Sequence, residues 1–272
     1  MSEWDATDYA AKSNLLRVVR SEADGFFALA ERPDAWEAPT ACSQWQVRDL
    51  VGHLIDVTES YFVAFDAARG GTAVPDGLGV RVMQQRLDDG AREHRTLSQS
   101  EALDRLRGDF TNFMETCEAL GSQEWGGLIV THKYMGPLPA FFYPVFQLMD
   151  YGVHSWDIRQ GSGRAHGLRG EAADLLVPFM FIVWQATADV PPDAEPCDVG
   201  VRITSGHNAG SWRLSAGPSG LAYHQGDVGD AAAVLDFDPG SFVLTAFGRS
   251  NSGTISGDMG VADRYLNLFF RI

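Results

Sequence analysis

Lysine is nearly absent from this 272-residue chain. Lys12 and Lys133 stand beside 19 arginines, and 36 acidic residues leave a formal net charge of −15. Such a field repels a phosphate backbone, so nucleic acid is not an expected partner, and an anionic substrate would need arginines placed locally. Cysteine is scarce as well. Cys42, Cys117 and Cys197 are odd in number, far apart and without a CxxC pair, which argues against a disulfide framework and against a thiolate zinc knuckle. None lies in a nucleophile motif, so each is read as a buried structural residue. Long apolar runs are also missing. The most apolar stretch, Leu175 to Trp184, is about half of what a bilayer crossing requires. The opening residues Met1-Ser2-Glu3-Trp4-Asp5 carry neither a basic nor an apolar leader region. A cytoplasmic protein with no membrane partner is the expectation.

What is present points to a globular fold. Hydrophobic residues make up 45% and charged residues 21% of the chain. Its length suffices for one large domain or two ordinary ones, with a sizeable core.

The first two-thirds read as helix. Tyr9 to Leu29 places Leu15, Leu16, Val19, Ala23 and Phe27 at helical spacing. After Pro33 and Pro39, Ser43 is a candidate cap for a second helix, Gln46 to about Ala68. That helix carries the stripe Leu50, Val51, Leu54, Thr58, Tyr61, Phe62 and Phe65. Residues 70–97 read as a Gly- and charge-rich link with a short helical stretch from Arg81 to Leu87. A third long helix runs from about Ser98 to Ala119. Residues 122–137 read as a loop with an extended piece at Leu128 to His132. A fourth helix follows Pro137 and reaches about Gln160, and a fifth spans about Gly170 to Ala188.

The Pro-rich segment Val190 to Pro196 then marks a change of period. Val199–Ile203, Trp212–Ser215, Leu221–His224 and Ala233–Phe237 alternate as strands of an antiparallel sheet, followed by helices at Ser241 to Phe247 and Met259 to Phe270. The expected fold class is therefore an α bundle plus α+β. A four-helix bundle with a fifth connecting helix occupies residues 1–190, and a small α+β domain occupies residues 191–272.

Of seven histidines, His53 and His154 fall inside helices. Asp150 precedes His154 by one turn, which places both side chains on one helix face. A carboxylate and imidazoles suit zinc and similar divalent ions, and three protein ligands leave a position open for water or substrate. On spacing alone, a structural histidine or a simple i, i+4 contact on a helix surface is the stronger reading of the pair.

The segment Trp45-Gln46-Val47-Arg48-Asp49-Leu50-Val51-Gly52-His53-Leu54 resembles the W-x-V-R-D-L-x-x-H-L motif of the mycothiol-dependent maleylpyruvate isomerase family, a group of DinB-like metal-binding bundles. Asp150-Tyr151-Gly152-Val153-His154-Ser155-Trp156-Asp157 resembles that family's E-x-x-x-H-x-W-D segment. Phe247-Gly248-Arg249 and Gly257-Asp258 resemble its C-terminal sterol-carrier-like α+β domain. The resemblance runs in order over nearly the whole chain. It implies a DinB-like four-helix bundle followed by a small sterol-carrier-like domain. It also implies a divalent metal, usually zinc, on His53, Asp150 and His154. Asp150 departs from the family's glutamate and is one methylene shorter.

The resemblance further implies that a low-molecular-weight thiol, mycothiol, is the cosubstrate and attacks a small electrophilic substrate. The outcome is either S-transfer or a maleylpyruvate-type cis-trans isomerisation. Arg249 is the candidate catalytic residue, a cation for an anionic substrate group or the thiol, with Arg81 and Arg86 as lesser candidates. Asp49 and Asp157 are candidates for orienting imidazoles, although a helix-end role is the stronger expectation for Asp157. Trp45 and Trp156 are expected to pack at the base of the site. His94, His132, His166, His207 and His224 are read as loop or surface residues. Two other readings stay open: a non-catalytic ligand-binding or regulatory protein on the same bundle, and a metal-dependent hydrolase. Nothing in the sequence decides the oligomeric state.

Overall fold

A computed structural model describes residues 2–72, 76–164 and 166–271, and the chain divides into two compact units between Leu168 and Arg169. Residues 73–75 of the expected 70–97 link lie outside the described residues. In the first unit, a 3-10 turn (Tyr9–Ala11) leads into α1 (Lys12–Ala30), followed by α2 (Val47–Gly70), α3 (Val80–Glu93), α4 (Gln99–Ala119) and the short α5 (Ser122–Gly127). A hairpin of β1 (Ile129–His132) and β2 (Gly136–Pro139) then precedes α6 (Phe142–Gly161).

The helices form where the apolar stripes predict them. Leu15, Leu16, Val19, Ala23, Phe26 and Phe27 of α1 are buried, and α1 packs along α6. On α2, Leu50, Val51, Leu54 and Ile55 are buried in the same core as Leu103 and Leu106 of α4 and Tyr151 of α6. The Tyr151 ring lies 5.5 Å from Phe26 and 5.2 Å from Phe110, both edge-on. Burying each such ring contributes about 2–3 kcal/mol.

The start of α2 differs from expectation. Gln46, not Ser43, is the N-cap. The carboxylate of Asp49 accepts the Gln46 backbone N–H at 2.9 Å and takes both prongs of Arg95 at 2.6 and 2.9 Å. Burial disfavours this charge, but the Arg95 and Gln46 hydrogen bonds outweigh it and hold the carboxyl below its ordinary range. Gly52 then allows α3 to lie close on α2, since a Cβ there would sit 2.4 Å from the Ala91 carbonyl oxygen. The helix in the link is also longer than the expected Arg81 to Leu87.

Residues 122–137 are not a loop with one extended piece. Trp125 is buried and donates its indole N–H to the Ala6 carbonyl at 3.0 Å, which fixes α5. Val130 pairs with Leu138 across an antiparallel hairpin whose turn ends at Gly136 (φ +80°), and α6 consequently begins at Phe142.

The second unit contains α7 (Gly170–Thr187), β3 (Cys197–Ile203), β4 (Gly210–Gly217), β5 (Gly220–Gln225), β6 (Ala233–Phe237), α8 (Pro239–Ala246), β7 (Thr254–Gly257) and α9 (Met259–Leu266). The fifth helix, expected with the bundle, lies in this unit. Phe181 and Trp184 of α7 pack on Phe242 of α8 at 4.8 and 5.0 Å between ring centres. The sheet order is β5-β4-β3-β6-β7. Contrary to the expected antiparallel sheet, β3 and β6 pair in parallel, with Val201 opposite Leu235. Both strands are buried nearly along their length, the pattern of central strands. The edge strand β7 is short, mostly exposed and carries one large apolar residue, Ile255, so alternation does not reveal it. Among the described residues, no helix is long and apolar enough to cross a membrane.

Candidate metal centre

His53 lies in the second turn of α2, and Asp150 and His154 lie one turn apart on α6. The structure brings all three together: one donor atom from each lies within 4.8 Å of the others. His53 Nε2 is 4.0 Å from Asp150 Oδ1, and the two imidazoles stand at 90° with ring centres 5.2 Å apart. A tetrahedral zinc with donors at ~2.1 Å spaces them roughly 3.4 Å apart. Side-chain shifts of less than about 1 Å therefore close the set around an ion, so the donor chemistry and spacing fit. Both histidines are buried, and the Asp150 side chain is 23% exposed, so the cluster has an open side at the carboxylate.

Burial pushes the Asp150 carboxyl up to about 6, with the nearby His154 acting in the opposite direction. Burial also disfavours a charged His154. Its hydrogen bonds to Asp157 and Cys42, together with the Asp157 charge, overcome this and push it up to about 10. His154 Nδ1 lies 2.9 Å from Asp157 Oδ2, which leaves Nε2 as its free ring nitrogen for an ion. Asp157 is completely buried, so the imidazole-orienting role applies here rather than a helix-end one. Asp49 takes the other role, engaged by Gln46 and Arg95 as a cap.

Trp45 packs beside both imidazoles, 5.2 Å from His53 and 6.2 Å from His154, and its indole N–H donates to Asp88 of α3 at 2.5 Å. Trp156 does not share this place, because its indole bonds the His166 carbonyl. Arg81 and Arg86 are exposed on α3. Arg249 lies in the second unit, where it donates to the Phe247 carbonyl at 3.3 Å.

Sequence reasoning missed three features. Cys42 is half-buried rather than buried, and its Sγ lies 3.3 Å from Asp157 Oδ2. Its signal was its position three residues before Trp45, where the motif segment begins. His132 is a buried strand residue, not a surface one. It packs among Tyr61, Tyr143 and Phe146, and burial, assisted by Lys133, pushes it down to about 4. Tyr61, two turns beyond His53, is likewise fully enclosed. Burial raises its hydroxyl well above the ordinary value, and the Asp150 charge adds to this, which places it beside the candidate centre. Nearby on α6, Gln147 donates to Thr58 Oγ1 at 3.1 Å. The Gln147 Oε1 and Tyr143 hydroxyl are buried with no hydrogen-bond partner among the described residues.

Comparison with known proteins places this geometry in context. The family described as mycothiol maleylpyruvate isomerase N-terminal domain matches residues 16–159, which include Cys42, His53, Asp150, His154 and Asp157. The crystal structure of the mycothiol-dependent maleylpyruvate isomerase is similar to this chain with a TM-score of 0.61 at 13% identity, covering 91% of this chain and 94% of that one. A histidine-to-alanine mutant of that isomerase is similar with the same TM-score and coverage at 12% identity. The colibactin self-resistance protein ClbS, crystallised with a dsDNA, covers 57% of this chain and 97% of its own at 16% identity, and its TM-score of 0.48 is too low to carry an argument. No curated protein sequence matches the chain significantly.

Proposed function

Because this chain belongs to the mycothiol maleylpyruvate isomerase N-terminal domain family, we propose that it is a divalent-metal-dependent enzyme that uses a low-molecular-weight thiol, mycothiol, against a small electrophilic substrate. The observation that carries the reading is the convergence of His53, Asp150 and His154 within 4.8 Å, open at the carboxylate side. A divalent ion held there, zinc by donor type, supplies a Lewis acid that favours the thiolate form of an incoming thiol.

The chain's own residues supply the rest. His53 and His154 present ring nitrogens from two helices, their rings at 90° to each other, while Asp150 contributes the compensating negative charge. Asp157 hydrogen-bonds Nδ1 of His154, which would leave Nε2 as the nitrogen to hold an ion. Trp45 covers the imidazoles and keeps water from that side. The thiol nucleophile comes from outside, in keeping with Cys117 and Cys197 being buried. Attack by the thiol sulfur forms a C–S bond to an electrophilic carbon: in S-transfer the carbon's leaving group departs with its bonding electrons and the thiol proton goes to solvent, whereas addition to a double bond gives an adduct. If the adduct rotates about the former double bond and expels the thiol, the result is cis-trans isomerisation. Arg249 is the proposed cation for an anionic substrate group, and the cytoplasm is the proposed compartment.

The test has two stages. Elemental analysis is expected to find one zinc or similar ion per chain in the wild type and none in His154→Ala. Thiol consumption in the presence of an electrophile is then expected in the wild type and abolished in His53→Ala. A wild type that takes up no ion after reconstitution overturns the reading, and turnover without thiol favours a metal-dependent hydrolase instead.

A further inference from the structure

The segment from Pro39 to Trp45 is fastened along the C-terminal half of α6. The Ala41 N–H donates to the Asp157 carbonyl at 3.0 Å. Gly161 lets the strap lie flush, because a Cβ there would sit 2.1 Å from the Pro39 carbonyl oxygen. Within the segment, Thr40 Oγ1 donates to the Trp45 carbonyl at 2.8 Å and accepts the Cys42 N–H at 3.2 Å. These ties fix where the Cys42 side chain can go. Its Sγ lies 3.3 Å from Asp157 Oδ2, the same oxygen that meets His154 Nδ1 at 2.9 Å, and it is within hydrogen-bonding reach of His154 as well. One wholly buried carboxylate oxygen thus faces both a thiol and an imidazole N–H.

We infer that Cys42 is a positioning residue for His154: its thiol donates to Asp157 Oδ2 and thereby fixes the carboxylate that sets the ring orientation and tautomer of the imidazole. The physical reason is the environment of Asp157. A completely buried carboxylate needs its lone pairs occupied by donors, and each added donor narrows the rotations open to it. With Cys42 in place, the carboxylate plane is held from the strap side and the His154 ring from the α6 side. Without the thiol, Asp157 loses a donor and can swing away from Nδ1, and Nε2 loses its aim. Partners that orient an imidazole in this way change metal affinity roughly 10–100-fold when removed. In this role Cys42 acts through Asp157, although the donor atoms of Cys42, His154 and Asp157 also lie within 4.8 Å of one another.

The inference rests on the three-donor reading above, so its test carries one readout that needs no metal. In the chelator-treated protein, the Nδ1–H proton of His154 is followed by NMR in wild type, Cys42→Ala and Cys42→Ser. A slowly exchanging, hydrogen-bonded resonance is expected in the wild type and in Cys42→Ser, whose hydroxyl keeps the donor, and an exchange-broadened or shifted one in Cys42→Ala. Zinc affinity, measured by competition with a chromophoric chelator, is expected to fall about 10–100-fold in Cys42→Ala and to recover in Cys42→Ser. If Cys42→Ala does not fold, Cys42→Val, close in volume and without a donor, takes its place. An unchanged Nδ1–H resonance in the donor-free variant overturns the inference, as does an unchanged zinc affinity where the wild type binds zinc. A wild type that binds no zinc but shows the Cys42-dependent resonance separates the two claims: the hold on His154 stands and the three-donor reading fails.

Discussion

The indole N–H of Trp45 donates to the Asp88 carboxylate at 2.5 Å, and this bond ties α3 to the candidate metal centre. The Trp45 ring rests against both imidazoles, so Asp88 acts on the centre without touching it. Asp88→Ala is expected to lower stability by about 1 kcal/mol through the lost hydrogen bond. It should also weaken zinc binding by less than tenfold, whereas Asp88→Asn, which keeps an acceptor, should stay close to wild type in both. Thermal melts and chelator competition check this. A zinc affinity unaffected by Asp88→Ala would sever the proposed link.

Acid stability of the metal-free protein should contain two opposing contributions. His132 titrates at about 4 in the folded protein against 6.5 ordinarily, so its contribution is present above 6.5 and is lost as pH falls toward 4. Asp150 titrates at about 6 against 3.8, so its contribution is present below 3.8 and is lost as pH rises through 6. Each amounts to roughly 3–3.5 kcal/mol at most, at about 1.4 kcal/mol per pK unit. Denaturant midpoints between pH 4 and 6.5 should therefore change little in the wild type. They should rise on acidification in His132→Phe and fall on acidification in Asp150→Asn. Parallel profiles for the three proteins would contradict this.

Asp150→Asn carries a second expectation. The substitution removes a partly buried carboxylate whose charge its surroundings disfavour, so the metal-free variant should be more stable than wild type at pH 7, by about 1–3 kcal/mol. The same variant should lose most of its zinc affinity. Differential scanning calorimetry with and without chelator separates the two effects.

Zinc affinity itself should depend on pH. Below about 6, Asp150 takes up a proton and its oxygen is lost as a donor. Up to about 10, an incoming ion must displace a proton from His154. Affinity is expected to rise steadily from pH 5.5 to 8, steepest at the acid end. Isothermal titration in buffers of different ionisation enthalpy would count the protons released, and a count of zero would contradict the coordination.

Gly52 separates α2 from α3 by the width of a hydrogen. Gly52→Ala places a methyl 2.4 Å from the Ala91 carbonyl oxygen, so α3 must move, at about 1–3 kcal/mol in stability. Because α3 carries Asp88, zinc affinity should drop in the same variant. Chemical denaturation and metal titration together test whether the two losses travel together.

The bundle was readable because its information is local. The stripes of α1, α2 and α4 repeat at helical spacing, and Ser98 with Glu101 marks the start of α4 by adjacent chemistry. Asp150 and His154 share a turn, so their pairing was visible too. What escaped depends on pairings distant in sequence. The short α5 is held by Trp125 reaching Ala6, and the parallel β3–β6 pair joins strands whose alternation is identical in either direction. Cys42 and Asp157 are 115 residues apart, and nothing in either segment announces the other. His132 looked like a loop histidine because the aromatic residues enclosing it, Tyr61 and Phe146, come from α2 and α6.

The parallel pairing of β3 with β6 also bears on how the second unit is made. The β4–β5 hairpin and the β3–β4 pair join near neighbours along the chain and can form within microseconds. Val201 meets Leu235 only after a stretch of roughly thirty residues has looped back, an entropic debt that no local contact repays in advance. Until that closure, β3 has an open edge. The β3–β6 junction is therefore the step at which the nascent second unit is most exposed to pairing with another chain, and slow refolding or concentration-dependent loss should trace to it rather than to the bundle.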